Sequence, residues 1–269
     1  MSKEKYNRLN VKSTILKRVV IRVDFIGLTD IEGCVSSLKT IMNEKFKRLT
    51  PISNKNYNVE LPDQFSQHQI PNVNFERRTF YRFSESLMGN DNANFMLGTD
   101  FAYIEVNCGS DYAGCDKYIR LMAESIHRIL HFDPFISIKR IGLKKTDWAE
   151  FDNIHDMDSS VENPIWNNYK TSDAYMPLKK SYSDLLLQLD VRTVFNIQRQ
   201  VQAVEREGNS KLVYVLDVDS YKNGNLINPD DFASVDKIEK AISEQMNMPL
   251  FNYFIETFTE QYIDQFYHE

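Results

Sequence analysis

The feature that most constrains the fold of this chain is a repeated change in the spacing of its apolar residues. In residues 16–28 apolar side chains alternate with charged ones, which predicts a half-buried β-strand. In residues 31–49 they recur at spacings of three and four, which predicts an amphipathic helix ending near Pro51. A chain that changes period in this way must bury both sheet and helix faces, so we expect an α+β protein.

The same change of period recurs further along the chain. Alternation predicts strands at residues 75–84, 93–97, 101–107, 135–144, 185–190, 192–204 and 211–219. Helical spacing predicts a helix over 112–129 and C-terminal helices that break at Met248 and Pro249. The predicted architecture is therefore antiparallel meander sheets packed against long amphipathic helices, in two lobes.

Two segments lack either period and set the predicted domain bounds. Residues 51–74 and 146–182 are rich in polar and turn-forming residues, which predicts two long irregular loops. We expect an N-terminal α+β lobe over 1–147, an irregular connection over 148–182 and a C-terminal hairpin and helix lobe over 183–269. Packing of both lobes as one domain is compatible with the same pattern.

Composition narrows the functional classes. A net charge of −6 argues against a dedicated nucleic-acid binder, although a local basic patch is compatible with it. The first ten residues do not resemble a signal peptide and no long apolar run occurs, so we expect a cytoplasmic protein without a membrane partner. The three cysteines form no CxxC pair, and phosphate-loop and nucleophile-elbow motifs are missing. We expect no cofactor, and the sequence favours a non-enzymatic role without deciding it.

Basic residues on two predicted strands are the first candidate site. If these strands are neighbours, their cations would line one sheet face and bind a phosphate or an acidic peptide. The alternative is a solvated face with cross-strand ion pairs. The candidate anion-binding residues are Arg78, Arg82, Lys139, Arg140 and Lys144.

Two further candidate sites rest on acidic and aromatic residues. Asp217 and Asp219 lie two residues apart on a predicted strand, so their carboxylates share a face and could hold a metal ion, although turn formation is the simpler explanation. Trp148 and Trp166 fall in the predicted connection, where an exposed indole could anchor a protein partner.

Three stretches together resemble a known family. They are residues 16–28 with the helix after them, residues 99–148, which contain Ile138-Lys139-Arg140-Ile141-Gly142-Leu143, and residues 212–220 with 248–266. In order and spacing they are similar to a sporadically distributed prokaryotic family of unknown function, with a central Arg-Ile-Gly-Leu strand and a C-terminal helix rich in Phe and Thr. Lys144-Lys145-Thr146 departs from the Arg-Tyr-Ile/Val that usually follows this strand. The resemblance implies no reaction, and the patchy distribution implies an association with antiviral defence or mobile elements.

These observations lead to two functional hypotheses. The first is a non-enzymatic intracellular interaction or sensor protein with a protein partner, in a defence or mobile-element module. The alternative is a nucleic-acid or nucleotide-phosphate binding protein that uses the basic strands and, if metal-dependent, Asp217 and Asp219. A homodimer formed through the Phe-rich C-terminal helix is compatible with either hypothesis.

Overall fold

The structure is a computed structural model that describes Tyr6 and residues 15–60, 72–85, 93–109, 114–162, 180–188, 193–206 and 209–267. Its strands are β1 (Leu16–Ile26), β2 (Arg48–Glu60), β3 (Asn72–Ser84), β4 (Ala93–Leu97), β5 (Phe101–Asn107), β6 (Ser137–Phe151), β7 (Lys180–Gln188), β8 (Val194–Arg206) and β9 (Asn209–Asn223). Its α-helices are α1 (Ile31–Met42), α2 (Asp116–Phe132), α3 (Ile154–Ser160), α4 (Val235–Ile242), α5 (Met248–Thr257) and α6 (Glu260–Ile263).

All of these strands belong to a single nine-stranded sheet. Their spatial order is β2-β3-β4-β5-β1-β6-β9-β8-β7, and every neighbouring pair is antiparallel. The N-terminal and C-terminal blocks meet at β6, which pairs with β1 on one side and β9 on the other. This architecture confirms the predicted α+β class and its antiparallel strands.

The two faces of the sheet differ in what covers them. Val19, Ile21 and Val23 of β1 are at most 1% exposed and share one core with residues of α2 such as Met122 and Ile126. Burial of a side chain of this size contributes about 1.5–3 kcal/mol, so this face holds the helices on the sheet. The alternate residues of β1 are half-buried or exposed. The sheet therefore presents one face to the core and a polar outer face.

Helix α1 is shorter than its apolar pattern predicts. Asp30 caps its first turn by accepting a hydrogen bond from Gly33 N at 2.9 Å, and the helix ends at Met42 rather than near Thr50. The backbone of Lys47 already donates to Ser84 O of β3 at 3.0 Å. Backbone pairing with β3 therefore begins where the apolar pattern would have continued the helix.

The prediction of a long irregular loop over 51–74 is wrong for residues 51–60 and 72–74, which are strand, and residues 61–71 lie outside the described residues. Residues 48–60 form β2 and pair in register with β3, from Arg48 opposite Ser84 to Glu60 opposite Asn72. Polar side chains on a strand do not prevent this, because the backbone supplies the ladder of hydrogen bonds. Pro51 is tolerated because β2 is at the edge of the sheet, where one side needs no partner.

The second predicted irregular segment is also partly regular. Strand β6 continues to Phe151, and Asn153 caps α3 by accepting hydrogen bonds from His155 N and Asp156 N at 2.9 and 3.0 Å. Trp148 therefore belongs to a strand and not to a loop. Pairing with β9 extends β6, since it satisfies the backbone of residues whose side chains gave no clear period.

The C-terminal helices bury the apolar stripe that the sequence predicts. Instead of a break at Met248 and Pro249, the chain widens into a π-helical turn over Ser243–Asn247 that leads directly into α5. Ile255 and Phe258 are at most 4% exposed and belong to the core. The apolar stripe is therefore buried within the same chain. A homodimer stays a prediction, and it would have to form through another surface. Among the described residues, none of the helices has both the length and the apolarity needed to cross a bilayer.

Candidate anion-binding site

The strand order separates the two sets of basic residues that the sequence singled out. Arg82 lies on β3 and Arg140 on β6, and β4, β5 and β1 lie between these strands, so the condition that the two strands are neighbours is not met. Arg82 instead donates from Nε to Asn94 Oδ1 at 2.7 Å. The side chain of Arg78 lies outside the described residues. The spacing of residues within a strand does not show which strands are neighbours, because the topology of the sheet decides which strands meet.

The strand that lies next to β6 and contributes basic residues to the same face is β1, not β3. Arg18 and Arg22 of β1 and Arg140 and Lys144 of β6 line a cavity of about 220 Å³ in the middle of the outer face. The remaining lining residues are Val20, Gly142, Thr146 and Asp219. We refer to this feature as the cation-lined cavity.

The register of β1 with β6 explains why these cations converge. Residues two apart on a strand share a face, and the buried face of β1 carries the odd-numbered residues. Arg22 is paired with Gly142 and Val20 with Lys144 in the register, so the even-numbered residues of both strands point to the same side. A one-residue slip would move all of them to the opposite face.

Each cation of the cavity has a carboxylate partner. Arg18 contacts Glu105 on β5 at 2.6 Å, and Arg22 contacts Asp24 on its own strand at 2.7 Å, both through Nε. Because a guanidinium has five N–H donors, the terminal nitrogens keep donors for a further acceptor. On the other side of the cavity, the partners are carboxylates of β9.

The β9 carboxylates are the two aspartates predicted as a metal pair. Arg140 Nη2 contacts Asp219 Oδ2 at 2.5 Å, and Lys144 Nζ contacts Asp217 Oδ2 at 2.7 Å. Thr146 also donates to Asp217 Oδ1 at 3.0 Å. Burial raises the pKa of the Asp219 carboxyl, while Arg140 and Lys144 oppose the rise. The two carboxylates do share a face, as expected from their spacing, and each is paired with a cation of β6.

Among the residues that the structure describes, no third metal ligand accompanies this pair. Within the described parts of the chain, no group of three or more His, Cys, Asp or Glu residues has the arrangement of a metal site. His155 and Asp156 lie in the short helix α3, where Asn153 Nδ2 donates to Asp156 Oδ2 at 2.7 Å. The contacts of Asp217 and Asp219 are therefore those of an ion-pair network.

Two aromatic rings hold the guanidinium groups in place. The guanidinium carbon of Arg140 lies 4.6 Å from the centre of the Tyr221 ring, and that of Arg22 lies 5.2 Å from the centre of Phe101. Stacking of this kind limits the rotamers of a long side chain and contributes about 0.5–1 kcal/mol at an exposed site. The arginine donors are thereby oriented before any ligand arrives.

The remaining predicted site residues fall outside the cavity. Lys139 is exposed near the start of β6 and does not line it. Trp148 is half-buried, and its Nε1 is buried without a hydrogen-bond acceptor among the described residues. It is therefore not the exposed loop anchor that the sequence suggested. Trp166 lies outside the described residues.

The cysteines do not form a reactive site. Cys108 is buried, and burial raises the pKa of its thiol to about 12. Cys115 is buried on α2's N-terminal side and contacts Asn247 Oδ1 at 3.5 Å. The Cys108 thiol therefore remains protonated at neutral pH, and both buried side chains pack as small apolar groups.

Sequence reasoning missed Arg18 and Arg22 as members of the site. Their signal was present, because both lie on the polar face of a strand whose other face is apolar. What was missing was the partner strand. Only the pairing of β1 with β6 shows that these arginines belong with Arg140 and Lys144.

Comparison with known proteins adds little to this geometry. No family model matches the chain, and no curated protein matches it. Among solved structures, the crystal structure of the di-domain ARO/CYC StfQ from the steffimycin biosynthetic pathway aligns over 89% of this chain and 96% of that chain, with 8% sequence identity and a TM-score of 0.18. A TM-score of this size does not establish a common fold. The resemblance to a sporadically distributed prokaryotic family stays a prediction.

Proposed function

We propose that the protein is a non-enzymatic interaction or sensor protein that binds an anionic ligand on the outer face of its sheet. The observation that carries this proposal is the cation-lined cavity, where four cationic side chains converge and a single carboxylate, Asp219, is among the lining residues. A concave site with fixed charged donors is the usual form of a ligand-binding site.

The lining residues favour binding over acid–base chemistry. Arginine cannot lose its proton in a protein, and its planar fork suits carboxylate and phosphate groups. Val20 and Gly142 provide no functional group for proton transfer, and the carboxylate of Asp219 is already paired with Arg140. The arrangement thus supports recognition of charge.

An anion must compete with the carboxylates that already pair with the cations. Three of these, Glu105, Asp24 and Asp217, do not line the cavity and form what we call the acidic rim. An anion inside the cavity would meet cations first, while the acidic rim repels a long polyanion that crosses the strands. The rim therefore supports a compact anion rather than a nucleic acid, which we keep as the alternative.

Calorimetric titration with pyrophosphate at low salt tests the proposal. The Arg22→Gln variant removes one charged donor and keeps the length of the side chain, and a hydrogen bond to a charged group is worth about 1.5–3 kcal/mol. We expect affinity to fall by about 10-fold or more, since about 1.4 kcal/mol corresponds to a factor of ten. Arg128→Gln, on the exposed side of α2, makes the same charge change away from the cavity and should not alter binding.

Two results would contradict the proposal. The first is the absence of heat and of a thermal shift with pyrophosphate, sulfate and citrate at millimolar concentration. The second is an equal loss of binding in Arg22→Gln and Arg128→Gln, which would indicate diffuse attraction to the surface. Tight binding of single-stranded RNA or DNA that weakens steeply with salt would favour the nucleic-acid alternative.

A further inference from the structure

The two edge strands of the sheet differ in how they are protected against further pairing. Strands β2 and β7 are outermost, and among the described residues each pairs with a strand on one side only. An unprotected edge invites pairing with another chain, and natural proteins prevent this with proline and charged residues on the edge strand. Strand β2 has such residues, because Pro51 has no N–H group to donate and Arg48 is exposed. Strand β7 contains no proline, and Asp184 is the only charged side chain within its residues 182–188.

Strand β7 instead carries exposed apolar side chains on both faces of the sheet. Leu186 is 65% exposed on the outer face, where it lies opposite Asn196 of β8. Leu185 is 45% exposed on the core face, where it lies opposite the fully buried Ile197. Leu187 shares the core face and packs against the core. The core face therefore ends in an apolar margin on β7, which a further strand would cover.

A second copy of this chain can supply that strand, because residues 184–188 are complementary to themselves. A two-fold axis perpendicular to the sheet pairs the same strand of two copies in antiparallel direction and keeps the two faces of the sheet aligned. With the axis at Leu186, the leucines before and after it lie opposite each other on the core face, and Leu186 meets its own equivalent on the outer face. Asp184 and Gln188 also lie opposite each other. This register pairs apolar residues with apolar residues and polar residues with polar residues.

The carboxylate of Asp184 selects this register over its neighbours. Asp184 accepts a hydrogen bond from Tyr182 Oη at 3.3 Å through Oδ2. A carboxylate can accept several hydrogen bonds, so the amide of Gln188 from the second copy can donate to it as well. An axis at Asp184 would place two carboxylates opposite each other, which is destabilising. An axis at Leu185 would place Asp184 opposite Leu186, which offers it no donor.

From these observations we infer that two copies of this chain associate through β7, as an antiparallel pair centred on Leu186. The pairing continues the sheet of one copy into the sheet of the other. Because the axis is perpendicular to the sheet, the cation-lined cavities of both copies lie on the same face. The interface does not include β1 or β6, so this inference and the anion-binding proposal can fail independently of each other.

Light scattering coupled to gel filtration measures the association of the full-length protein, from low micromolar to several hundred micromolar concentration. We expect the mean mass to rise with concentration from 31.6 kDa toward twice that value. Leu186→Lys should raise the dissociation constant by about 10-fold or more, because it removes the central apolar contact and places two like charges opposite each other. Phe135→Lys makes the same charge change at a side chain that is 83% exposed and distant from β7 in the sequence, and it should leave the association unchanged.

A cysteine at the axis tests the register. Opposite Cα atoms of an antiparallel pair are about 4.5–5.5 Å apart, which is within the range that a disulfide bridges. Leu186→Cys should therefore form a covalent dimer when oxidised glutathione is added. In Gln188→Cys the two equivalent positions are offset by four residues, or about 13 Å along the strands, so no covalent dimer should form. The native cysteines are buried and do not compete in the folded protein.

Three results would overturn the inference. A mass of 31.6 kDa at every concentration would show that no second copy binds. Equal association of the wild type and Leu186→Lys would place the interface elsewhere. More covalent dimer from Gln188→Cys than from Leu186→Cys would show a different register. If Leu186→Lys lacks the far-ultraviolet circular dichroism of the wild type, the two cysteine variants still decide.

Discussion

A buried carboxyl on the core face of β6 should make the stability of this protein depend on pH. Asp147 is 7% exposed, and burial raises the pKa of its carboxyl from 3.8 to about 7, with a smaller rise from Asp217 and an opposing effect of Lys145. Each tenfold change in an acid constant is worth about 1.36 kcal/mol, so ionising Asp147 in the folded protein costs roughly 4 kcal/mol. This figure is the upper limit of the stability that replacing Asp147 with a neutral residue should add.

The sign follows from proton binding in the two states. Between about pH 4 and pH 7 the folded protein keeps a proton on Asp147 that the unfolded chain, with its carboxyl near pKa 3.9, has already lost. The free energy of unfolding therefore decreases as pH rises through this window, with a slope approaching 1.4 kcal/mol per pH unit, and levels off above pH 7. Asp147→Asn removes the titrating group without changing the shape of the side chain.

Urea unfolding at several pH values provides the measurement. We expect Asp147→Asn to match the wild type at about pH 4 and to exceed it by up to about 4 kcal/mol at pH 8, because only the wild type must bury a charge there. The comparison of the two proteins at each pH cancels the titration of all other groups. A difference between variant and wild type that is the same at pH 4 and pH 8 would refute this reasoning.

Further predictions concern the core, the thiols and one turn. Phe258 is fully buried among aromatic rings, so Phe258→Ala should lower the free energy of unfolding in urea by about 3–5 kcal/mol. Phe135 is 83% exposed, so Phe135→Ala should change the free energy of unfolding by less than about 0.5 kcal/mol. Equal costs in the two variants would contradict the packing described. Burial raises the pKa of the Cys34 and Cys108 thiols to about 12, so a thiol-specific reagent at pH 8 should label them only after denaturation, and rapid labelling of the native protein would show that they are accessible. Gly27 has φ +98° and a Cβ there would lie 2.2 Å from Phe135 O, so Gly27→Ala should destabilise by more than about 1 kcal/mol in thermal unfolding, and an unchanged melting temperature would contradict the strain.

The elements with a strong period were predictable from the residues alone. The apolar alternation of β1 and the helical spacing of α2 both appear in the structure, because in each case one face is buried and the other is not. Strand β2 was not predictable in this way. Its residues are mostly polar, and its existence depends on the backbone pairing with β3.

The candidate site was predictable in kind but not in membership. Arg140, Lys144, Asp217 and Asp219 were all recognised as charged residues on strand faces, and each of them takes part in the ion-pair network. The expected partner strand β3 was replaced by β1, because the chain order of strands differs from their order in the sheet. The chemistry of a side chain can be read from one position of the sequence, whereas the neighbour of a strand depends on residues that are distant in the sequence.

By itself, the sequence determined the α+β class, which face of β1 is buried and which residues of β6 and β9 carry charge. These properties follow from the spacing of apolar and charged residues within single elements. Only the tertiary structure decided that β1 and β6 are neighbours, that β6 joins the two blocks in one sheet and that four cations surround one cavity. The physical reason is that strand pairing is made by backbone hydrogen bonds between distant residues, and a backbone group is the same at every position of the chain.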